Sequence, residues 1–184
     1  MKVTRGSIPG VLLFEPRTFP DARGFFLETH HQRRYAEAGL DVTFVQDGWS
    51  RSMKDTLRGL HFQQPQPQGK LVYVTQGAVF DVVVDVRRGS PTFGEHYGTE
   101  LTEDNRHQLW VPPGFAHGFC VLSDRVDLHY KFTAHYDGSA SRVIAWNDPD
   151  LGIRWPIDQP VLSPADAAAP RLCDALMLPA YDGV

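Results

Sequence analysis

The 184-residue sequence is poor in cysteine, in long apolar runs and in clustered positive charge, and each shortage removes a class of function. Its two cysteines, Cys120 and Cys173, lie far apart and in no C-x-x-C pair, so neither a disulfide framework nor a thiolate zinc site is suggested. No stretch approaches the roughly 20 consecutive apolar residues of a membrane-spanning helix, and the opening MKVTRGSIPG lacks the apolar core of a signal peptide. A soluble, cytoplasmic protein with no membrane partner is expected. The 18 Lys and Arg against 22 Asp and Glu give a formal net charge of −4, with no basic run to offset it, so no nucleic-acid partner is expected. The absence of repeats, low-complexity blocks and Gly/Ser linkers points to one domain over residues 1–184, large enough for a hydrophobic core without staples.

What is present is punctuation. Sixteen Gly and 14 Pro are spread between short segments rich in Val, Phe, Tyr and Thr. Residues 11–14, 24–29, 42–45, 70–76, 78–86, 96–101, 107–111, 117–122, 126–133 and 143–146 read as strands, which argues for an antiparallel sandwich or barrel. Two stretches read as helices: residues 30–38, stopped by Gly39, and a start at Ser163-Pro164-Ala165-Asp166 with a capping Ser and Pro at the first helical position. In 78–86, Phe80, Val82, Val84 and Val86 share one face, read as core, while Asp81 and Asp85 make the other partly polar. Lys70 likewise falls in line with Val72 and Val74. A barrel whose lumen is a ligand cavity produces both patterns, and a sandwich with one wet face is the alternative.

Eight histidines raise the question of a metal. Pro112-Pro113-Gly114-Phe115-Ala116-His117 fits the P-x-G-x-x-H pattern of cupin barrels, but Gln63 stands where a metal-binding cupin has its second His, and no Glu follows. A transition metal generally takes three or four protein ligands and these motifs offer two, so no metal is expected. The densest chemistry lies in Thr56-Leu57-Arg58-Gly59-Leu60-His61-Phe62-Gln63, followed by Gln68-Gly69-Lys70. Arg58 suits bidentate recognition of phosphate, His61 is a base near neutral pH, and Lys70 can stabilise an oxyanion. The plainer reading leaves Arg58 paired to a carboxylate and Lys70 at a strand end.

At this point the chain resembles a known family, the dTDP-4-dehydrorhamnose 3,5-epimerases, metal-free cupin-type enzymes acting on nucleotide sugars. The resemblance runs from about Arg5 to Leu172 and rests on ordered segments. Among them are Asp21-Ala22-Arg23-Gly24-Phe25-Phe26-Leu27-Glu28, Gln46-Asp47, Leu57-Arg58-Gly59-Leu60-His61-Phe62-Gln63 and Gly69-Lys70-Leu71-Val72. Trp110-Val111-Pro112-Pro113-Gly114-Phe115-Ala116-His117, Tyr130-Lys131 and Trp146-Asn147-Asp148-Pro149 continue the series. It implies a mainly β fold, a cupin-type antiparallel barrel or jelly roll with a few short helices. It also implies inversion of the carbons flanking a 4-keto group on a dTDP-linked 6-deoxyhexose, with no cofactor. A proton alpha to a ketone is removable because the carbanion delocalises onto oxygen as an enolate, and reprotonation from the other face inverts the centre.

The resemblance assigns the base to His61, the carboxylate that orients it to Asp166, the acid to Tyr130 with Tyr136 as understudy, and enolate stabilisation to Lys70. Ser163-x-x-Asp166 reads equally as a helix-capping box. His117 is implied near the sugar, Arg23 and Arg58 at the diphosphate, and Phe26, Glu28 and Gln46 around the base and deoxyribose. In the family the N-terminal strand region crosses to a second subunit, which implies a homodimer in which Arg23, Phe26 and Glu28 serve the neighbour's site. Three departures stand out: Gly48 where Asn is common, Ser141 near a usual Glu, and Ala165 where Lys often precedes the dyad Asp. They keep open a mono-epimerase acting at C3 or C5 alone; a non-catalytic nucleotide-sugar-binding cupin and a metal-dependent cupin isomerase are further alternatives.

Overall fold

The short β-branched and aromatic segments between Gly and Pro fold as strands, seen in a computed structural model that describes residues 1–183. In chain order the strands are β1 (Lys2–Arg5), β2 (Leu12–Glu15), β3 (Thr18–Asp21), β4 (Gly24–Leu27), β5 (Gln46–Met53), β6 (Leu57–Gln63) and β7 (Lys70–Gln76). They continue with β8 (Ala78–Asp85), β9 (His96–Thr102), β10 (Gln108–Val111), β11 (Phe115–Val121), β12 (Arg125–Phe132) and β13 (Ser141–Val143). Two short helices, α1 (Gln32–Glu37) and α2 (Pro164–Ala167), complete the regular structure with a 3-10 turn at Leu172–Asp174.

Six strands form one sheet in the order β1-β2-β10-β7-β12-β5 and five form a second, β13-β6-β11-β8-β9, with antiparallel pairing throughout. A core that draws Val72, Leu109 and Leu128 from the first sheet and Val79, Phe115 and Phe119 from the second packs the sheets face to face. This is the mainly β, cupin-type jelly roll implied by the resemblance. A separate hairpin, β3 with β4, is hydrogen-bonded to neither sheet.

The pattern in 78–86 has a different cause from the one expected. The Phe80, Val82, Val84 and Val86 face lies outside the sheet pair, where Leu151, Leu172 and Ala175 of the C-terminal segment cover it. The other face looks into the space between the sheets, and its polar members, Asp81 and Asp85, are fully buried. Both faces are therefore interior, one of them carrying charge.

Two strand boundaries also moved. Residues 42–45 are irregular because Val42 and Phe44 pack against the Phe14, Tyr35 and Trp110 cluster beside α1. The strand is β5, immediately after, whose alternation sets Gln46, Gly48, Ser50 and Ser52 on one face against Asp47, Trp49, Arg51 and Met53 on the other. Near the C-terminal end, β13 occupies Ser141–Val143 rather than 143–146, paired to β6 with Val143 opposite His61. The helix of residues 30–38 is trimmed to α1, and β1 and β3 were not anticipated.

Candidate active site

On a regular strand Arg58 and His61, three apart, would face opposite ways. The β6 and β11 register slips between them: His61 pairs with His117, but Arg58 pairs with Phe119. Gly59 makes this possible. Its φ of +136° disfavours any side chain, and a Cβ there would stand 2.5 Å from the Cα of Gly118. Both side chains consequently reach toward the first sheet, Arg58 donating from Nε to Ser52 Oγ on β5 at 2.9 Å.

His61 is partly exposed, its side chain 43% accessible, and its back is held by α2. Its Nε2 lies 2.5 Å from Asp166 Oδ1. Pro164 at the helix start and the Ser163 cap fix the turn that carries Asp166, whose backbone N–H donates to Ser163 Oγ. The same serine hydroxyl donates to Asp166 Oδ2 at 2.8 Å. The capping box and the dyad thus coexist in one residue. Burial works to raise the Asp166 pKa, but the hydrogen bond and charge of His61, with Ser163 and the Gly59 amide, hold it below the usual carboxylate value. An ionised Asp166 favours the imidazole proton on Nε2, and among the described residues no hydrogen-bond partner faces Nδ1, the nitrogen then able to act as base.

Across the gap, β12 and β5 of the first sheet carry Tyr130 and Ser50, whose hydroxyls are 3.1 Å apart. Burial pushes the Tyr130 pKa up to about 12, with Ser50 and the Arg58 charge pulling the other way, so the phenol keeps its proton at neutral pH. Lys70 enters at the start of β7 with its ammonium buried, donating to the His61 carbonyl at 3.4 Å. Burial pushes its pKa down to about 8, and Asp81 opposes the drop. His117 is buried beside it, its Nε2 within 2.8 and 3.0 Å of the two Asp81 oxygens.

The structure therefore brings Arg58, His61, Lys70, His117, Tyr130 and Asp166 to one region between the sheets. Gln46 sits at the start of β5, its Oε1 accepting from the Tyr136 amide at 2.8 Å, with the Tyr136 ring exposed. Arg23, Phe26 and Glu28 are elsewhere, on or next to the β3–β4 hairpin. Arg23 pairs with Asp21, Glu28 pairs with Arg34, and Phe26 is 64% exposed. No hydrogen bond or ion pair among the described residues ties these three to His61. Of the metal-cupin positions, Gln63 is engaged with backbone groups of Gln66, His135 and Asp137. Among the described residues no three His, Cys, Asp or Glu side chains gather as a metal site.

Two members of the site were given no role in it from the sequence. Asp81 had a usable signal, an acid in line with inward valines. Ser50 had none, since a serine in a polar strand is unremarkable until its partner across the ladder is known.

The sequence profile of the dTDP-4-dehydrorhamnose 3,5-epimerases matches residues 5–174. The chain belongs to the dTDP-4-dehydrorhamnose 3,5-epimerase family. It is 53% identical over 181 residues to the Pseudomonas aeruginosa protein of that name, spanning 97% of this chain and 100% of the relative. A Legionella pneumophila epimerase solved in complex with dTDP-4-keto-L-rhamnose superposes with a TM-score of 0.95, at 48% identity and 98% coverage of both chains. A Streptomyces niveus relative named dTDP-4-dehydrorhamnose 3-epimerase is 40% identical, over 98% of this chain and 90% of its own.

Proposed function

We propose that the protein is a dTDP-4-dehydro-6-deoxyglucose 3,5-epimerase, an isomerase that inverts both carbons alpha to the C4 ketone. The observation that carries this reading is the placement of His61, backed by Asp166 of α2, on one sheet and a protonated Tyr130 on the other, with the buried ammonium of Lys70 reaching from the strand beside Tyr130 to the His61 carbonyl. A base and an acid on facing walls are what inversion of a planar enolate requires.

In this reading Nδ1 of His61 takes the alpha proton, and Asp166 stabilises the imidazolium that forms. The electron pair of the broken C–H bond moves onto the keto oxygen, where the Lys70 ammonium, itself buried, meets the developing charge. Tyr130 then delivers a proton to the opposite face of the same carbon. One proton leaves and one arrives, so the reaction has no redox balance for a cofactor to settle. His61 then passes its proton to solvent and Tyr130 regains one, and the same steps at the second carbon complete the double epimerisation.

The dTDP group requires cations, although the chain as a whole is acidic. Arg58 supplies one locally, and Arg23 a second from a partner subunit. The hairpin supports that dimer: it pairs with neither sheet, yet presents Phe25 and Phe26 to solvent at 56% and 64% exposure. Phe26 and Glu28 on the hairpin, with Gln46 and His117, complete the proposed binding shell. No described helix is long and apolar enough to cross a membrane, and we place the enzyme in the cytoplasm.

A mono-epimerase is the second reading, favoured by Gly48, Ser141 and Ala165 and by the relative named as a 3-epimerase. Purified protein given dTDP-4-keto-6-deoxyglucose should yield the inverted 4-keto sugar by NMR. His61→Ala should bind dTDP and form no product. Unchanged turnover by that variant would remove His61 from the mechanism, and wild-type binding without turnover would indicate a non-catalytic cupin.

A further inference from the structure

We propose that Gly48 and Phe132 act as one unit that positions the phenol of Tyr130 for proton delivery. The inference rests on the reading of Tyr130 as the acid and goes beyond it, because neither residue belongs to the proton-transfer set.

The hydrogen bond to Ser50 holds the phenol oxygen, and the ring packs against the core cluster that includes Val72 and Leu128. Phe132 supplies a further restraint. It lies two residues along β12 on the same face, and the two rings stack with centroids 5.6 Å apart and planes 7° from parallel. On β5, the residue opposite Tyr130 is Gly48 and the residue opposite Phe132 is Gln46. A Cβ at Gly48 would come within 3.1 Å of Phe132 Cε2, 3.7 Å of its Cζ and 3.8 Å of Tyr130 Cδ2. The backbone does not demand glycine here, since Gly48 is not among the positive-φ residues. What the glycine provides is the space into which the Phe132 ring leans. Seated there, the ring stacks on Tyr130.

The pair therefore governs where the acid sits more than whether the ligand binds. A displaced phenol slows proton delivery, for which alignment within a fraction of an ångström matters, while Arg58 keeps its hold on Ser52 and only Gln46, the cross-strand neighbour of Phe132, borders the change.

A double-mutant cycle tests this. Gly48→Ala should lower kcat roughly fivefold or more with KM within about threefold, because the new methyl pushes Phe132 off its seat. Phe132→Ala should lower kcat about tenfold, and Phe132→Tyr, which keeps a stacking ring, should restore most of it. Adding Gly48→Ala to Phe132→Ala should cost nothing more, since no ring remains to collide. Thermal unfolding of each variant, together with dTDP affinity, separates loss of rate from loss of fold. Additive effects, or a fully active Gly48→Ala, would overturn the pairing while leaving Tyr130 as the acid. A Tyr130→Phe enzyme with wild-type turnover would overturn both.

Discussion

Replacing Lys70 by Met should make the protein more stable and nearly inactive, and the size of the first effect follows from burial. The ammonium is pushed from an ordinary 10.5 down to about 8 by desolvation, with Asp81 only partly compensating. That difference corresponds to about 3 kcal/mol by which the folded state disfavours the charged form at neutral pH. Methionine has a similar length without the charge, so Lys70→Met relieves this cost. Asp81 loses a nearby cation but keeps its two contacts to His117, so the net gain should be about 1–3 kcal/mol at pH 7, or roughly 2–4 °C in Tm per kcal/mol.

The pH dependence identifies the cause. Between pH 8 and 10.5 the unfolded chain still binds the Lys70 proton and the folded chain has lost it, so wild-type stability rises with pH through that window. The variant lacks this term, so the gap between the two proteins should be widest below pH 8 and close as pH approaches 10.5. Urea denaturation at pH 7, 8, 9 and 10 reads it directly. Meanwhile kcat should fall about 100- to 1,000-fold, as expected when an oxyanion donor is removed. A variant less stable than wild type at pH 7, or a gap that does not change with pH, would refute the assignment of a costly buried charge.

Other substitutions probe the remaining parts. Asp166→Asn should lower kcat by about 10- to 200-fold, the equivalent of roughly 1.5–3 kcal/mol for a charge-assisted bond, measured by steady-state turnover at saturating substrate. Because Asp166 is held below its ordinary pKa, the stability it contributes is present above about pH 4 and is lost as pH falls through the lowered value. The Tm of that variant should thus converge on wild type in acid. Gly59→Ala should destabilise by about 2–4 kcal/mol through the collision with Gly118 and the strained φ, read as a lower urea midpoint. Ser163→Ala should cost about 1 kcal/mol for the lost cap, with a few-fold drop in kcat as Asp166 loses one of its restraints.

The fold was legible where one physical requirement acted on a segment. Residues 70–76 and 126–133 are strands because alternate positions meet a core, and β7 and β12 fall where that alternation places them. Residues 42–45 carried equally apolar side chains, but those serve α1 and Trp110 instead of a sheet. Strand β5 was invisible for the converse reason: its inward face is Gln46, Gly48, Ser50 and Ser52, small and polar because it borders the site. The covering of the Phe80 face depends on a C-terminal segment that is irregular apart from the short turn at Leu172–Asp174, which leaves no period to detect.

The site divides in a similar way. The Arg58–His61–Lys70 cluster was readable as chemistry from residue types alone. That they reach one cavity was also expected, but the cause was not legible, because it is the register slip at Gly59, and a slip is a property of two strands together. Asp166 presented two readings, cap and dyad, and the geometry shows that its amide serves one and its carboxylate the other. Gly48 was visible only as a departure, and its meaning required Phe132 across the ladder.

Proton exchange at the carbons flanking the ketone tests the account most directly. Wild-type protein incubated with dTDP-4-keto-6-deoxyglucose in deuterium oxide should place solvent deuterium at both C3 and C5 of the inverted product. Neither His61→Ala nor Tyr130→Phe should yield that doubly labelled product. Deuterium at one centre alone would replace the double epimerase by a mono-epimerase, and no incorporation by active-site-intact protein that binds dTDP would contradict the proposed chemistry altogether.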